Sequence, residues 1–402
     1  MDALLSNDNL EWKAKARKLA DEVIRPRAWK YDRLQEYPWE IKDAMVEAGI
    51  FGVWIPKEYG GAGAGLLNLC VVVEELSRAC GGIGVAYCVN ALATFPVILG
   101  GTEEQKHRYL PSVAKGERLC AFGLSERNAG SDAGGMTCRA EDKGDHYILN
   151  GGKKWNTNGG ISDLYSIFAV TDPESRSRRI SCFMVDKGAP GFTVTKIEDK
   201  LGIRCVPVVE IDFKDTKVPL ENLLGGKPGL GFKHAMMTLD QARPGVAAQA
   251  VGLAQGALDL ATRYAMGRKQ FGQPVSSFQM VQQMLADMAM KIEASRQLVY
   301  AAARAVDLGQ GGVTKIAAMA KCFATDTAVS VCTDAVQIFG GYGYMRDYPI
   351  EKYYRDAKIL QIYEGTNQVQ RLVIARNLLK EADAISHLDE YIPLKPEHMN
   401  TD

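Results

Sequence analysis

The spacing of apolar residues divides the chain into a helical first part, a strand-rich middle and a second helical part. From residue 8 to about 120 apolar residues recur at helical spacing, with two start signals: Pro38 before Trp39, and a capping box from Thr102 to Gln105. Between about 122 and 230 the pattern changes to short apolar runs bounded by Gly, Asn, Asp and Pro. These runs predict strands at 147–149, 164–170, 180–185, 192–197 and 208–213, within a compact β domain.

Four long helical patterns follow Gly231, at roughly 232–268, 275–308, 313–339 and 348–380. Long helices joined by short loops predict an antiparallel four-helix bundle. The last two patterns carry apolar residues on more than one face, which favours burial against another subunit. The residues that indicate this are Ile316, Met319, Ala320, Ala324, Val331, Ala335 and Ile338. The chain is therefore predicted to be an α+β protein with a helical domain at 1–121, a β domain at 122–231 and a helical bundle with a tail at 232–402.

The composition argues against several classes of protein. The chain has 402 residues, of which 47% are hydrophobic and 24% charged, so it has enough apolar material for several cores. Its 48 Lys and Arg balance 48 Asp and Glu, so no basic field is present to attract nucleic acid or anionic lipid. The nine cysteines are scattered without a C-x-x-C pair, and the five histidines are isolated. These patterns favour a reduced, intracellular protein without a bound metal.

Neither the N-terminus nor the apolar segments predict targeting or membrane insertion. The N-terminus lacks a secretory apolar core and is too acidic for a typical mitochondrial presequence. The segment 245–261, taken as the most apolar helical stretch, is interrupted by Gln249, Gln255 and Asp259. We therefore expect a cytoplasmic protein that does not span a membrane.

Four segments contain residues suited to ligand binding, although each also has an ordinary structural explanation. Residues 121–132 (AFGLSERNAGSD) form either an anion cradle or a common turn. Residues 152–159 (GKKWNTNG) place Trp155 either beside a planar ligand or in the core. Arg268 ends a long helix, where it can bind a pair of phosphates or cap the helix. Three glycines in 337–344 allow close backbone approach to a ligand, but helix ends favour Gly anyway.

Residues 363–368 (YEGTNQ) place Glu364 directly before Gly365, inside a pattern that is helical on both sides. Glycine within a helix costs about 1 kcal/mol relative to alanine, so its presence needs a reason. A kink that exposes Glu364 to a cavity would supply one.

Taken together and in this order, seven motifs resemble the acyl-CoA dehydrogenase family over residues 8–380: SERNAGSD, GKKWNTNG, KLGIRCVPVVEIDF, RKQFGQPVSSFQ, QIFGGYGY, YRDAKILQIYEGTNQ and QRLVIAR. The resemblance implies an N-terminal all-α domain, a middle β-barrel-like domain and a C-terminal four-helix bundle. It also implies FAD between the last two domains and across a subunit interface. The implied assembly is a homotetramer, a dimer of dimers, that passes electrons to electron-transfer flavoprotein.

The same resemblance assigns roles to individual residues. Glu364 would abstract the α-proton of an acyl-CoA thioester while FAD N5 takes the β-hydride, and the Glu364 N–H with a ribityl hydroxyl would hold the thioester oxygen. The flavin would be contacted by Phe122, Leu124, Ser125, Gly130, Ser131, Trp155 and Thr157. The FAD of the neighbouring subunit would be reached by Arg268, Gln270, Phe278, Gln279, Gln337 and Gly341. Thr366 and Gln368 would also touch FAD, and the substrate would be bound by Ser131, Asp240, Arg243, Glu364 and Gly365.

Differences within the family bear on the substrate. Arg127 and Asn156 stand where the family usually has Pro and Ile, and the sequence leaves their roles open. Isovaleryl and long-chain members place their base at the position of Ala242, which cannot accept a proton. Glutaryl enzymes have an Arg near Ile83, but residues 79–102 contain no Arg, Lys, Asp or Glu. The resemblance therefore implies a neutral acyl group that is short, branched or alicyclic.

Two alternative functions remain open at this point. The same scaffold could serve a flavin oxidase or monooxygenase that uses oxygen, although the YEGT base favours dehydrogenation. A non-catalytic subunit that binds acyl-CoA or flavin could have kept only the fold. The presence of both Glu364 and Arg268 argues against the second alternative.

Overall fold

The computed structural model describes residues 4–382, and its N-terminal part is helical as predicted. Its helices are α1 (Asn7–Leu19), α2 (Ala28–Leu34), α3 (Trp39–Glu47), α4 (Gly65–Ala79), α5 (Gly81–Gly100) and α6 (Glu103–Ala114). Both predicted start signals are confirmed. Helix α3 begins directly after Pro38, and the side chains of Thr102 and Gln105 each accept from the other's backbone N–H at the start of α6.

The middle part forms one seven-stranded sheet. Its strands are β1 (Cys120–Gly123), β2 (Arg139–Asp142), β3 (His146–Thr157), β4 (Leu164–Val170), β5 (Ile180–Asp186), β6 (Phe192–Ile197) and β7 (Val208–Pro219). The path through the sheet is β1-β4-β2-β3-β7-β6, and β5 pairs with the other edge of β4. The pairings of β1 and β2 with β4 are parallel, and the remaining pairings are antiparallel.

All five predicted strands are confirmed, whereas β1 and β2 were not predicted. Both missed strands have only four residues, and β2 reads Arg-Ala-Glu-Asp, with Ala140 alone buried. Such short segments carry too little periodicity to be recognised, and they become strands because β3 and β4 supply their hydrogen bonds.

The C-terminal part follows the sheet along the chain and consists mainly of helices. These are α7 (Gly231–Gly267), α8 (Gln279–Asp307), α9 (Val313–Phe339), α10 (Ile350–Leu360) and α11 (Asn367–Ala382). A short hairpin of β8 (Lys269–Gln270) and β9 (Gln273–Pro274) separates α7 from α8. The second predicted helix therefore begins later than 275, since Val275–Ser277 form a 3₁₀ turn.

The prediction of a single helix over 348–380 with a kink at Glu364 is wrong. Helices α10 and α11 are separated by residues 361–366, and the φ angles of Glu364 and Gly365 are +51° and +91°. Left-handed backbone cannot be part of a right-handed α-helix, so the chain breaks here instead of kinking.

Helix α5 is the most apolar helix and lies in the core. Among the described residues it is the one helix long and apolar enough to cross a membrane, but 83% of its most apolar window is buried inside the protein. The expectation that 245–261 is the most apolar helical stretch is therefore wrong. Tyr87 donates its hydroxyl to the carbonyl of Ile50, and Asn90 accepts from the backbone of Cys120, so α5 joins the helical part to the sheet.

Most apolar residues of α9 that suggested a subunit interface lie in the chain's own core. Five of the seven are buried within it: Ala320, Ala324, Val331, Ala335 and Ile338. Met319 is 38% exposed and Ile316 is partly buried. These positions therefore give much weaker support for an interface than the pattern alone suggested.

Candidate active site

Glu364 lies in a turn, residues 361–366, that joins α10 to α11; we call it the Glu364 turn. Its φ of +51° is unfavourable for a residue with a Cβ, at a cost of about 1 kcal/mol or more. A side chain at Gly365 would have a φ of +91° and would place its Cβ 2.4 Å from Nε2 of Gln370. The glycine that interrupts the helical pattern thus permits the turn, and other contacts must hold it.

Helix α9 holds both ends of the Glu364 turn. The Lys321 ammonium donates to the carbonyl of Gly365 at 2.9 Å and to Oδ1 of Asn367 at 2.8 Å. The Asp326 carboxylate accepts from the amides of Gln361 and Asn367, each at 2.7 Å. The strained backbone is therefore fixed by a polar network and not by local sequence preference.

The carboxyl group of Glu364 is shielded and has a perturbed pKa. The residue as a whole is half-buried, but its Oε2 is out of contact with solvent and has no hydrogen-bond partner among residues 4–382. Burial raises the pKa of Glu364 to about 7, against the opposing effect of the cations Arg243 and Lys321. A carboxyl with a pKa near neutrality can accept a proton and later release it, which suits a general base.

Arg243 of α7 lies beside this turn and is 5% exposed. Its Nη1 donates to Asp240 at 2.6 Å, and the other oxygen of Asp240 accepts from Thr314 at 2.6 Å. Its Nε is buried without a partner in the described part of the chain, and burial lowers the pKa of Arg243. A Cβ on Gly365 would lie 3.9 Å from Nη2 of Arg243, so the structure brings these predicted substrate residues together.

The remaining residues predicted to bind FAD or substrate near the base are Thr366, Gln368 and Ser131. The Thr366 hydroxyl accepts from the backbone of Val369 at 3.2 Å, so it caps the start of α11, and Gln368 is exposed. Ser131 is exposed in the loop after β1, in the middle part of the chain. Lys321 was not identified from the sequence. The available signal was a lysine within the apolar run AMAKCFA of a helix.

The residues predicted to face a flavin occur at neighbouring ends of β1 and β3. The backbone N–H of Lys154 donates to the carbonyl of Ser125 at 2.9 Å and joins the two segments. Trp155 is 52% exposed, with a φ of +62° beside an irregularity in the β3–β7 pairing, so it is not a core tryptophan. Phe122 packs against Phe168 with ring centroids 5.1 Å apart, and Leu124, Thr157, Gly130 and Ser131 complete the set.

A buried ion pair holds the loop that follows β1. The Glu126 carboxylate accepts from Lys153 at 2.7 Å and from the backbone N–H groups of Thr137 and Cys138 at 2.7 and 2.9 Å. Lys153 is 1% exposed and also donates to the carbonyl of Leu124 at 3.2 Å. The segment 124–138 is therefore anchored by the buried contacts of Glu126, while Gly130 and Ser131 within the segment remain exposed to solvent.

Arg127 and Asn156, the two residues that differ from the usual family pattern, both have structural explanations. Arg127 forms an ion pair with Glu210, and its Nη2 lies 3.9 Å from Asp212. Asn156 is fully buried, and its amide donates to the carbonyl of Val209 in β7 at 3.1 Å. Arg127 therefore belongs to a surface charge cluster, and Asn156 ties β3 to β7.

A second group of predicted residues lines a surface cleft of about 580 Å³ between α7 and the end of α9. Arg268, Gln270 and Gly341 line it, together with Tyr264 and Tyr342. The Arg268 guanidinium lies 5.3 Å from the centre of the Tyr342 ring and has no carboxylate partner within residues 4–382. The remaining predicted residues, Phe278, Gln279 and Gln337, do not line this cleft, and neither do the residues of β1 and β3.

Comparison with known proteins gives matches along nearly the whole chain. Family models described as the N-terminal, middle and C-terminal domains of acyl-CoA dehydrogenase match residues 6–117, 121–216 and 229–379. The chain is 45% identical over 383 residues to an acyl-CoA dehydrogenase, short-chain specific, from Clostridium acetobutylicum, covering 94% of this chain and 100% of the relative.

Two solved structures match over similar lengths. The butyryl-CoA dehydrogenase from Megasphaera elsdenii is 43% identical with a TM-score of 0.91, covering 94% of this chain and 100% of that chain. A chain in a structure described as the electron transferring flavoprotein of Acidaminococcus fermentans is 49% identical with a TM-score of 0.92, again covering 94% of this chain and 100% of that chain.

Proposed function

The chain belongs to the acyl-CoA dehydrogenase family of oxidoreductases, and we propose that it dehydrogenates a neutral acyl-CoA thioester with Glu364 as the base. One observation carries the assignment of the base. Glu364 combines a shielded, unpaired carboxyl oxygen with a pKa of about 7, in a turn whose backbone is held in a strained conformation.

The environment of Glu364 suits removal of the weakly acidic α-proton of a thioester. Burial disfavours the charged carboxylate, so taking up a proton relieves an unfavourable charge. Arg243 and Lys321 oppose this effect and keep a substantial fraction ionised near pH 7. The two effects together give a base that is available at neutral pH and still gains from accepting the proton.

The backbone at Glu364 suits stabilisation of the charge that develops on the thioester oxygen. The Glu364 N–H has no acceptor among residues 4–382. A free, fixed N–H next to the base can donate to the carbonyl oxygen as the enolate forms. The same turn therefore provides both a proton acceptor and an oxyanion donor.

We propose FAD as the cofactor, because the residues present fit its parts. An unpaired guanidinium in an open cleft suits a pyrophosphate, and an exposed indole beside an anchored glycine loop suits a planar ring. When bound, FAD supplies the acceptor for the β-hydride. Since the cleft contains none of the β1 and β3 residues, we propose that Arg268, Gln270 and Gly341 hold the dinucleotide of a neighbouring subunit. The proposed assembly is the homotetramer, a dimer of dimers, that the resemblance to the family implies.

The neutral substrate, the electron acceptor and the compartment are also part of this proposal. Helix α5 contains no charged residue, and a buried carboxylate without a partner is strongly unfavourable. The short-chain and butyryl-CoA enzymes among the similar proteins support a short acyl group, and the electron transferring flavoprotein structure supports such an acceptor. All nine cysteines are free, which favours the cytoplasm.

The test is bleaching of the bound flavin's visible absorbance, without oxygen, by a panel of acyl-CoA thioesters. We expect bleaching by short, branched or alicyclic thioesters and a rate at least about a thousandfold lower in Glu364→Gln, with ligand binding still perturbing the flavin spectrum. Near wild-type reduction by that variant would contradict the role of Glu364. Rapid peroxide formation in air would instead favour an oxidase, and lack of bleaching by every thioester a non-catalytic subunit.

A further inference from the structure

Lys321 is a fully buried lysine whose ammonium group contacts the Glu364 turn. Its side chain has no exposed surface, and its Nζ donates to the carbonyl of Gly365 and to Oδ1 of Asn367 at 2.9 and 2.8 Å. Among residues 4–382 no carboxylate lies within ion-pair distance of it. A buried charge that is paired only with neutral oxygens is unfavourable for stability, so its presence asks for a functional reason.

We infer that Lys321 is a positioning residue for the base: it fixes the carbonyl of Gly365, and its positive charge favours the ionised form of Glu364. This inference deepens the proposed function and rests on it. It assigns to a residue of α9 a role that neither the motif around Glu364 nor the cofactor contacts indicate.

Lys321 holds the backbone of the Glu364 turn through the carbonyl of Gly365. The Gly365 carbonyl belongs to the Gly365–Thr366 peptide group, the second one after the base, and the turn has left-handed φ angles at both Glu364 and Gly365. A hydrogen bond from a buried ammonium to that carbonyl restricts the orientation of the peptide group and so helps to hold the left-handed backbone at Gly365, from which Glu364 is presented. Gln370 also donates to the same carbonyl, at 3.2 Å, but it belongs to α11, the helix that directly follows the turn, whereas Lys321 belongs to α9.

The turn has a second support that does not involve Lys321. Asp326 binds the side chains of Gln361 and Asn367 at the two ends of the turn, and Thr325 donates to Oδ1 of Asn367 at 3.1 Å. Loss of the Lys321 ammonium should therefore leave the turn assembled. The effect of the charge on Glu364 can then be measured separately from folding.

Within residues 4–382, titratable groups from three helices and from the turn itself face Glu364. These are Arg243 from α7, Lys321 from α9, Cys88 from α5 and the adjacent Tyr363. The two cations lower the pKa of Glu364, whereas burial raises it to about 7. Burial also lowers the pKa of Lys321 to about 8, so its influence should fade above that pH.

The experiment compares the pH dependence of flavin reduction by a saturating acyl-CoA, without oxygen, in holoenzyme variants. Lys321→Met removes the charge and the hydrogen bonds, and Lys321→Gln removes the charge but keeps a donor. Lys321→Arg keeps the charge. Lys315→Met is the matched control, because Lys315 is a partly exposed lysine on the same helix that pairs with Glu381.

We expect the rise of the rate with pH to move upwards by about one pH unit or more in Lys321→Met and Lys321→Gln, because loss of a nearby cation raises a carboxyl pKa. At pH 6.5 the rate should fall by about tenfold, and the difference should shrink towards pH 9 as wild-type Lys321 loses its proton. Lys321→Arg, which keeps the charge, and Lys315→Met should both keep the wild-type midpoint of the pH–rate curve. An unchanged midpoint, or an equal fall at every pH, would show that Lys321 only supports the fold.

An infrared titration gives a readout that does not depend on turnover. The band of the protonated carboxyl group that disappears in Glu364→Gln reports the ionisation of Glu364 directly, and its midpoint should move upwards in Lys321→Gln. If wild type reduces its flavin but neither midpoint moves, the inference about Lys321 is wrong and the proposed function stands. If no thioester reduces the flavin but the infrared midpoint moves, the proposed function is wrong and the coupling stands.

Discussion

Replacing Glu364 by Gln should make the protein more stable at alkaline pH. Burial raises the pKa of this carboxyl from 4.5 to about 7 in the folded chain. A group with a raised pKa in the folded state contributes fully to stability below about pH 4.5, and that contribution is lost as the pH rises through about 7. Glutamine has nearly the same shape as the neutral acid and cannot ionise, so the variant avoids this loss.

The pKa shift sets the size of the effect. A shift from 4.5 to about 7 corresponds to a gain of at most about 3 kcal/mol for the variant above pH 8. Since Glu364 is only half-buried as a whole, we expect about 1 to 2 kcal/mol after screening by solvent.

The measurement is urea unfolding of the FAD-saturated protein at several pH values between 5 and 9. The free energies of unfolding of wild type and Glu364→Gln should be closest at pH 5, separate between about pH 5 and pH 7, and differ by a nearly constant amount above about pH 7.5. Glu58→Gln, which changes an exposed carboxylate, should follow wild type throughout. A wild type that is more stable than Glu364→Gln at pH 8.5 would mean that the fold favours the ionised carboxylate, and the reasoning from burial would be refuted.

Two further predictions concern the cofactor and the substrate. Arg268→Ala should release FAD on dialysis, because loss of a charged phosphate partner typically costs about 2 kcal/mol or more. The absorbance of the flavin band measures how much FAD is retained. The control is Arg263→Ala, which changes an exposed arginine outside the cleft and should leave FAD bound. Stoichiometric flavin in Arg268→Ala would contradict the role of this cleft. Glutaryl-CoA should be oxidised with a kcat/KM at least about a hundredfold below that of butyryl-CoA, because α5 offers no charged partner for the distal carboxylate of the glutaryl group. Comparable kcat/KM values for the two substrates would show that another segment places a cation in the acyl pocket.

The sequence by itself determined the division of the chain into a helical part, a strand-rich part and a second helical part, because hydrophobic periodicity and capping residues are local signals. Five strands were recognisable from their apolar runs, and the start of α6 from the reciprocal pair Thr102 and Gln105. The candidate base was recognisable too, since Gly365 inside a helical pattern is locally unfavourable and therefore informative. Resemblance to a family supplied the chemistry of that position, which no local pattern contains.

The tertiary structure decided what depends on distant parts of the chain. It broke the fourth long helix because α9 holds the Glu364 turn in a left-handed conformation, through a bond from Lys321 to Gly365 across 44 residues of sequence. It paired Lys153 with Glu126 across 27 residues and so anchored the loop after β1. It also set the pKa of Glu364, because burial and nearby charges come from elements far apart in the chain. A lysine within an apolar helical run indicates none of this, since its partners are defined only when the helices pack.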